Sequence, residues 1–264
     1  MVTVALVQSD IRPHDVEANL NHYEHLLKEK IQEPVDLIVF PEMFNCGFSM
    51  DFDKNAETME GKSVAFLKTI AQRYQCDVVA TLPIREGESI VNRLIWMSPE
   101  RILGWYDKKH LFLGSEQKIC TSGNQRTIVE SLCQRWLPLI CYDVRFPVWS
   151  RNAVQDGQFL YDCLIYTANF PEPREQVLLK LATARAIENQ AYVLVVNRIG
   201  CDGEGHAHAG GTAVISPQGE ILAQASFHQE EVLNYSLDFD VLRQLRKSFP
   251  VAKQWDCFLG TWGA

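Results

Sequence analysis

VTVALVQSDIRPHDVEANLNHYEHLLKEKIQEPVDLIVFP, residues 2–41, changes its apolar period twice. Val2–Ser9 is a β-rich run that reads as a strand. From Asp15 to Ile31 the residues Val16, Leu20, Tyr23, Leu27 and Ile31 recur at helical spacing, and Asp36–Pro41 is a second short strand. The alternation then repeats. Gly61–Tyr74 carries Val64, Leu67, Ala71 and Tyr74 at helical spacing before the run Asp77–Pro83. A β-α-β-α-β order of this kind predicts a mostly parallel sheet with helices on one or both faces.

Further along, Ser89–Trp96, Ile102–Lys108, Arg126–Ser131 and Arg135–Tyr142 read as strands joined by short turns, which adds antiparallel members. A helical stretch is expected over Val148–Asp156, then an apolar strand over Cys163–Ala168. Glu175–Gln190 is the clearest helix, with Val177, Leu181, Ala184 and Ile187 on one face. Tyr192–Val196, Gly211–Ser216, Glu220–Ala225 and Glu231–Leu237 complete the strands, and Phe239–Lys247 forms a short final helix. No polar linker long enough to divide two cores is visible, so residues 1–264 are expected to form one two-sheet α/β domain.

Composition narrows the function. The chain has 25 Lys plus Arg against 33 Asp plus Glu, a formal net charge of -8, which is the wrong balance for a nucleic-acid or anionic-membrane surface. Polar residues interrupt every apolar run well before the roughly 20 residues of a membrane span. Residues 1–8 lack a basic flank and a long apolar core, so they read as a strand rather than a signal peptide, and a cytoplasmic protein is expected. The 8 cysteines form no close metal-type pair, which favours reduced thiols, most of them buried as small hydrophobes.

Four segments place unusual polar groups after apolar strands. In Leu37-Ile-Val-Phe-Pro-Glu-Met-Phe44, Glu42 follows a buried strand, where α/β sheets form their active-site crevice, and is a general-base candidate or else a turn carboxylate. In Gly104-Trp-Tyr-Asp-Lys-Lys-His-Leu-Phe112, alternation lets only one of Lys108 and Lys109 face a site, and period alone does not choose between them. Trp136-Leu-Pro-Leu-Ile-Cys-Tyr-Asp-Val-Arg-Phe-Pro147 presents Cys141 where an apolar strand breaks, the setting of a nucleophile on a turn as well as of a core cysteine. Leu164-Ile-Tyr-Thr-Ala-Asn-Phe-Pro-Glu-Pro-Arg174 ends a further strand in polar residues able to line a pocket.

Together FPEMF, YDKKHLF and CYDVRFP resemble the nitrilase superfamily of carbon-nitrogen hydrolases, in the family order Glu, Lys, Cys and over almost the whole chain. RAIENQA at 185–191 and HAGGTAVISPQG at 208–219 are further matches. The resemblance implies a four-layer α-β-β-α sandwich and a homodimer paired through helical faces. It also implies that Glu42 is the base, Lys108 rather than Lys109 the catalytic lysine, and Cys141 the nucleophile. Glu116, eight residues after Lys108, corresponds to a second glutamate that supports the lysine or positions substrate, the alternative being a plain loop carboxylate. Within the family CYDVRFPVWSRN and TANFPEPR look most like an omega-amidase, which hydrolyses the terminal amide of 2-oxoglutaramate or 2-oxosuccinamate. The family pattern has His-Trp where this chain has Val177-Leu178, and Trp where it has Phe170, which implies a pocket wall of different size or polarity.

For such a substrate, a small keto-acid amide, Arg145 and Arg174 are candidates for the carboxylate, because a guanidinium makes a bidentate contact; Arg145 could instead hold the catalytic loop through an acidic partner. Tyr142, Asn169 and Tyr166 are candidate donors to the 2-oxo group. His110 reads as a structural hydrogen-bond partner more readily than as a proton carrier. His206 and His208 have a ligand-like gap but no third ligand. The expected reaction needs no metal, nucleotide or organic cofactor. Nitrile hydrolysis, N-carbamoyl hydrolysis and acyl transfer are the enzymatic alternatives, and a non-enzymatic dimeric scaffold would leave the ordered Glu, Lys and Cys without a shared purpose.

Overall fold

The computed structural model describes residues 1–256 apart from Met50 and Ser115. The N-terminal third folds as its periodicity predicts. Strand β1 (Val2–Gln8) leads to helix α1 (Val16–Lys30), started by the Asp15 carboxylate accepting from Ala18 N–H at 3.0 Å. β2 (Leu37–Val39), α2 (Lys62–Tyr74), β3 (Asp77–Glu86), β4 (Ser89–Met97) and β5 (Ile102–Asp107) follow. β1, β2 and β3 are parallel, with α1 and α2 as crossovers, while β4 and β5 add antiparallel members.

After the short α3 (Glu116–Ile119), β6 (Val129–Ser131) and β7 (Gln134–Ile140) form a hairpin around Leu132 and Cys133, both at positive φ. β8 (Val154–Gln155) and β9 (Gln158–Phe159) make a small separate hairpin. β10 (Cys163–Ala168), α4 (Glu175–Asn189) and β11 (Tyr192–Asn197) form a parallel β-α-β unit beside β7. A second small hairpin, β12 (Ile199–Cys201) with β13 (Ala207–Ala209), precedes β14 (Ala213–Ile215) and β15 (Ile221–Gln224); β16 (Glu231–Leu237) then returns to pair with β1, and α5 (Phe239–Ser248) follows.

The result is two six-stranded sheets, ordered β16-β1-β2-β3-β4-β5 and β15-β14-β11-β10-β7-β6, stacked in a four-layer α-β-β-α sandwich. Alternation assigns the faces. Val4, Leu6, Leu37, Val39, Val79, Leu94 and Trp96 turn toward the second sheet, where Trp96 meets Trp136 at 5.6 Å between ring centroids. The intervening residues Ala5, Val7, Ile38, Val78 and Ile95 pack under α1 and α2. Five of the seven described cysteines are buried as expected, Cys133 and Cys201 are exposed, and Cys257 lies outside the described residues.

The main departure from expectation is Val148–Asp156, which is turns and a hairpin strand rather than a helix. Asn152 occupies the backbone there: its side chain accepts from Ala153 N–H at 3.0 Å and donates to Tyr161 and Asn189 carbonyls at 3.0 and 3.2 Å. Asp156-Gly157, both at positive φ, then closes the β8–β9 hairpin. Two strands are also shorter than read, since Arg126–Ile128 lie outside β6 and β7 stops at Ile140, with Cys141–Arg145 forming a 3-10 turn. No helix among the described residues is long and apolar enough to cross a membrane.

Asp77 sits at the sheet interface, where its carboxylate accepts from Trp96 Nε1 of its own sheet at 2.7 Å and from Ser131 Oγ of the other at 2.5 Å. Burial holds its pKa above the usual carboxylate value. Asp77→Ala is therefore expected to strand the Trp96 indole N–H and cost about 1–3 kcal/mol in urea unfolding. Asp77→Asn retains an acceptor and should be milder. Because the charged form is penalised in the folded state, wild type should gain on the Asn variant as the pH falls through the raised pKa.

Candidate active site

Four strand ends meet at one edge of the sandwich. Glu42 follows β2, Lys108 follows β5, Cys141 follows β7 and Asn169 follows β10. Glu42 N–H donates to Ala168 C=O across the two sheets at 3.3 Å, and Met43, at φ 52°, donates its N–H to Thr81 Oγ1 at 2.8 Å. This pins the Glu42 side chain between the sheets.

Lys108 N–H continues the β4 pairing by donating to Asn92 C=O at 2.9 Å, so its side chain points inward. Nζ donates to Glu42 Oε1 at 2.7 Å and to Glu116 Oε2 at 2.8 Å. Glu42 and Lys108 are 1% exposed and Glu116 is 0% exposed, so this is a buried ion cluster of two carboxylates and one ammonium. Burial disfavours the ammonium, but Glu116 and Glu42 outweigh it and hold the Lys108 pKa well above its ordinary value. Burial raises the Glu116 pKa, against the pull of Lys108. Lys109 is turned away, with its ammonium 5.7 Å from the Trp149 ring centroid. The choice that alternation left open falls on Lys108.

Cys141 takes φ 45° as the first residue after β7, a left-handed conformation that costs an L-residue roughly 1–2 kcal/mol. Asp143, fully buried, stabilises that turn. Its carboxylate accepts from Ile140 N–H at 3.1 Å, Tyr106 Oη at 2.8 Å, His110 N–H at 3.1 Å and His110 Nδ1 at 2.8 Å. The cysteine turn is thereby tied to the lysine strand. Arg185 ties it to α4 by donating to Val144 C=O at 2.9 Å. Burial pushes the Cys141 thiol well above its ordinary pKa, Glu42 adds to that, and Lys108 and the Asn169 backbone N–H oppose it. Burial thus favours the neutral thiol, and the Glu42 side chain lies beside it.

Glu42, Lys108, Cys141, Tyr142, Arg145, Asn169 and Arg174 all line one cavity of about 370 Å³, and Glu116 sits behind Lys108. Arg145 has no carboxylate within 4 Å among the described residues, so the alternative of an acidic partner fails for it; Arg185 braces the loop instead. The Arg145 guanidinium lies over Tyr142 and Phe170 at 5.9 and 5.8 Å, and that of Arg174 over Phe112 and Phe170 at 5.2 and 5.9 Å. Both amide atoms of Asn169, 8% exposed, are buried without a hydrogen-bond partner. Tyr166 is in the core and does not line the cavity. Of the departures from the family pattern only Phe170 forms cavity wall; Val177 and Leu178 do not.

His110 stacks on Phe146 at 3.6 Å between centroids and bonds Asp143, the structural role expected of it. His206 and His208 both face Asp202, at 3.1 and 3.4 Å, and the described residues contain no group of three or more His, Cys, Asp or Glu side chains arranged for a metal. Asn92, Asp143, Thr81 and Arg185 were not singled out from the sequence as site residues. Asn92 carried a signal: in Ser89–Trp96 it shares a face with the core residues Leu94 and Trp96, an unusual position for an amide.

The carbon-nitrogen hydrolase family pattern matches residues 3–247. Omega-amidase YafV of Escherichia coli strain K12 is 39% identical, with 97% of each chain covered. The 2-oxoglutaramate amidase of Bacillus subtilis strain 168 is 29% identical over 94% of this chain and 95% of its own. The crystal structure of XC1258 from Xanthomonas campestris, a CN-hydrolase superfamily protein with an arsenic adduct in its active site, superposes with a TM-score of 0.94 at 36% identity, covering 98% of both chains.

Asp143→Asn keeps the shape but turns an amide N–H₂ toward groups that need an acceptor. The expected outcome is a loss of about 1–3 kcal/mol in denaturant unfolding, with slower iodoacetamide labelling of Cys141 as its turn loosens. Unchanged labelling would show that the turn does not depend on Asp143.

Proposed function

The chain belongs to the carbon-nitrogen hydrolase family, and on that premise we propose that it is an omega-amidase hydrolysing 2-oxoglutaramate or 2-oxosuccinamate to the 2-oxo dicarboxylate and ammonia. The observation that carries this reading is one cavity in which a thiol backed by Glu42, Lys108 and Glu116 faces two guanidiniums that no carboxylate within 4 Å neutralises among the described residues. A monoamide with an acid at its other end satisfies both halves. The identity to named omega-amidases supports the same substrate class.

In this mechanism Glu42 accepts the Cys141 proton as sulfur bonds to the amide carbon and the carbonyl π pair moves onto oxygen. Lys108 and the Tyr142 backbone N–H stabilise that oxyanion. As the carbonyl re-forms, the C–N bond breaks and the Glu42 proton passes to the leaving nitrogen, releasing ammonia and leaving a thioester. Glu42 next takes a proton from water, whose oxygen attacks the thioester. The C–S bond breaks, and the proton returns from Glu42 to the Cys141 thiolate. Glu116 holds Lys108 in place. Arg145 or Arg174 binds the distal carboxylate, and the unpartnered Asn169 amide or Tyr142 meets the 2-oxo end.

The same reading includes a single domain over residues 1–264 and a cytoplasmic homodimer without nucleic-acid or membrane partners. Seven free thiols among the described residues and the net charge of -8 support the compartment and the exclusions. Exposed Ile187, Ile221 and Phe227 along the outer side of α4 support pairing through a helical face.

At equal concentrations of open-chain substrate, ammonia release should give a higher kcat/KM for 2-oxoglutaramate than for glutamine, and folded Cys141→Ala should show none. Preference for glutamine, a nitrile or an N-carbamoyl acid would transfer the mechanism to another substrate class. Lys108→Ala should lower kcat about 10²- to 10³-fold, the range for losing an oxyanion donor, whereas Lys109→Ala should change it little. Equal losses would reverse the assignment.

A further inference from the structure

We propose that Asn92 is a positioning residue that fixes which oxygen of Glu42 exchanges the catalytic proton. Asn92 lies on β4, between β3 and the edge strand β5 of the first sheet, fully buried, and its Nδ2 donates one hydrogen to Glu42 Oε1 at 2.9 Å and the other to Glu116 Oε1 at 2.8 Å. Two carboxylate acceptors on one amide nitrogen settle its orientation, since the flipped amide would aim Oδ1 at both anions. In that orientation Oδ1 is buried and unpartnered. The side chain thus forgoes a hydrogen bond of its own to hold the two carboxylates.

The consequence for Glu42 follows from counting donors. Oε1 already accepts from Lys108 Nζ at 2.7 Å and from Asn92, while no N–H group among the described residues donates to Oε2, and the Cys141 thiol hydrogen-bonds the same carboxylate. A proton taken up on Oε1 would face two N–H groups directed at the same oxygen, so it resides on Oε2. The same oxygen then returns it to the leaving nitrogen. Glu116 is excluded from this traffic, because Asn92 occupies Oε1 while Lys108 and Phe112 N–H occupy Oε2 at 2.8 Å each. Two glutamates on one lysine are made inequivalent by which of their oxygens Asn92 and Phe112 N–H reach.

The charged and titratable groups around this amide are Glu42, Glu116, Lys108, Cys141 and Cys120. Removing the two N–H donors withdraws stabilisation from both carboxylate anions, so their protonated forms gain. Hydrolysis needs Glu42 ionised, and the acidic limb of kcat/KM therefore moves to higher pH. A residue that only filled space would leave that limb in place.

The test rests on the amidase reading and compares wild type, Asn92→Ala and the isosteric Asn92→Asp, with folding checked by circular dichroism and thermal melting. For 2-oxoglutaramate, kcat should fall about 10- to 100-fold, the range for losing a hydrogen bond to a charged group, with KM less affected. The acidic limb should rise in pH in the Ala variant. The Asp variant offers at most one donor and should lose further activity as its own carboxyl ionises beside the two glutamates. The pH dependence of Cys141 alkylation by iodoacetamide is measured in parallel and should shift in the same direction. Limbs at the wild-type pH in both measurements, or a loss confined to KM, would overturn the assignment. Wild type inactive on 2-oxoglutaramate but with a shifted alkylation limb in the variants would refute the substrate and leave Asn92 standing; if Asn92→Ala does not fold, the Asp variant alone decides.

Discussion

The ammonium of Lys108 is held between two buried carboxylates at 2.7 and 2.8 Å, and the arrangement of the surrounding strand ends answers to it. One ammonium and two carboxylates are packed together almost wholly out of contact with solvent. Such a cluster is costly unless hydrogen bonds satisfy its remaining valences, and breaking one partner leaves an uncompensated buried charge. Asn92 and Phe112 N–H supply those bonds. The strands bearing these residues are therefore constrained in register as well as in position, because a one-residue slip would turn Asn92 and Lys108 to the opposite face.

In the proposed mechanism the same cluster lets Cys141 rest as a neutral thiol and still serve as the nucleophile. Beside a lone cation Cys141 would ionise readily, and a permanent thiolate would bind Lys108 as a third anion. Burial and Glu42 instead keep the proton on sulfur, and Glu42 provides its destination. The Cys141 backbone is held in a left-handed conformation by Asp143, whose four incoming hydrogen bonds come from both sides of the crevice. Local strain at the nucleophile and the charge cluster behind it are thus connected through Tyr106 and His110, which flank Lys108 in sequence.

What could be read in the sequence was whatever depended on local period. The runs Asp36–Pro41, Ile102–Lys108, Arg135–Tyr142 and Cys163–Ala168 fall on strands that end at Val39, Asp107, Ile140 and Ala168, and the polar residues that follow these ends are those that converge. What could not be read depended on partners far along the chain. Asn92 is 50 residues from Glu42, and Arg185 is 41 residues from Val144. The local pattern puts Asn92 on a core face but does not name the partner of either bond. The stretch at 148–156 was misread for a different reason: its apolar spacing is tolerably helical, but Asn152 and Asp156-Gly157 offer the backbone better local partners and a hairpin turn.

In the proposed function, specificity rests on how the two arginines are held. A guanidinium paired with a carboxylate has already used its fork, whereas Arg145 and Arg174 are steadied by the faces of Tyr142, Phe112 and their shared neighbour Phe170. Aromatic faces fix the plane of a guanidinium but leave its in-plane N–H groups available, so the cavity keeps strong anion donors without neutralising them. An α-ammonium brought beside them would meet like charge, while a 2-oxo group brings only an acceptor. Asp202 and Glu204 share the cavity wall, where the Asp202 oxygens accept from the N–H groups of Glu204 and His206 and face the two imidazoles. Phe170 neighbours both guanidiniums, so under the proposed function its size sets their separation and the distance from the proposed anion clamp to Cys141. A wider ring there would move both guanidiniums together, changing which chain length places its amide carbon against the sulfur.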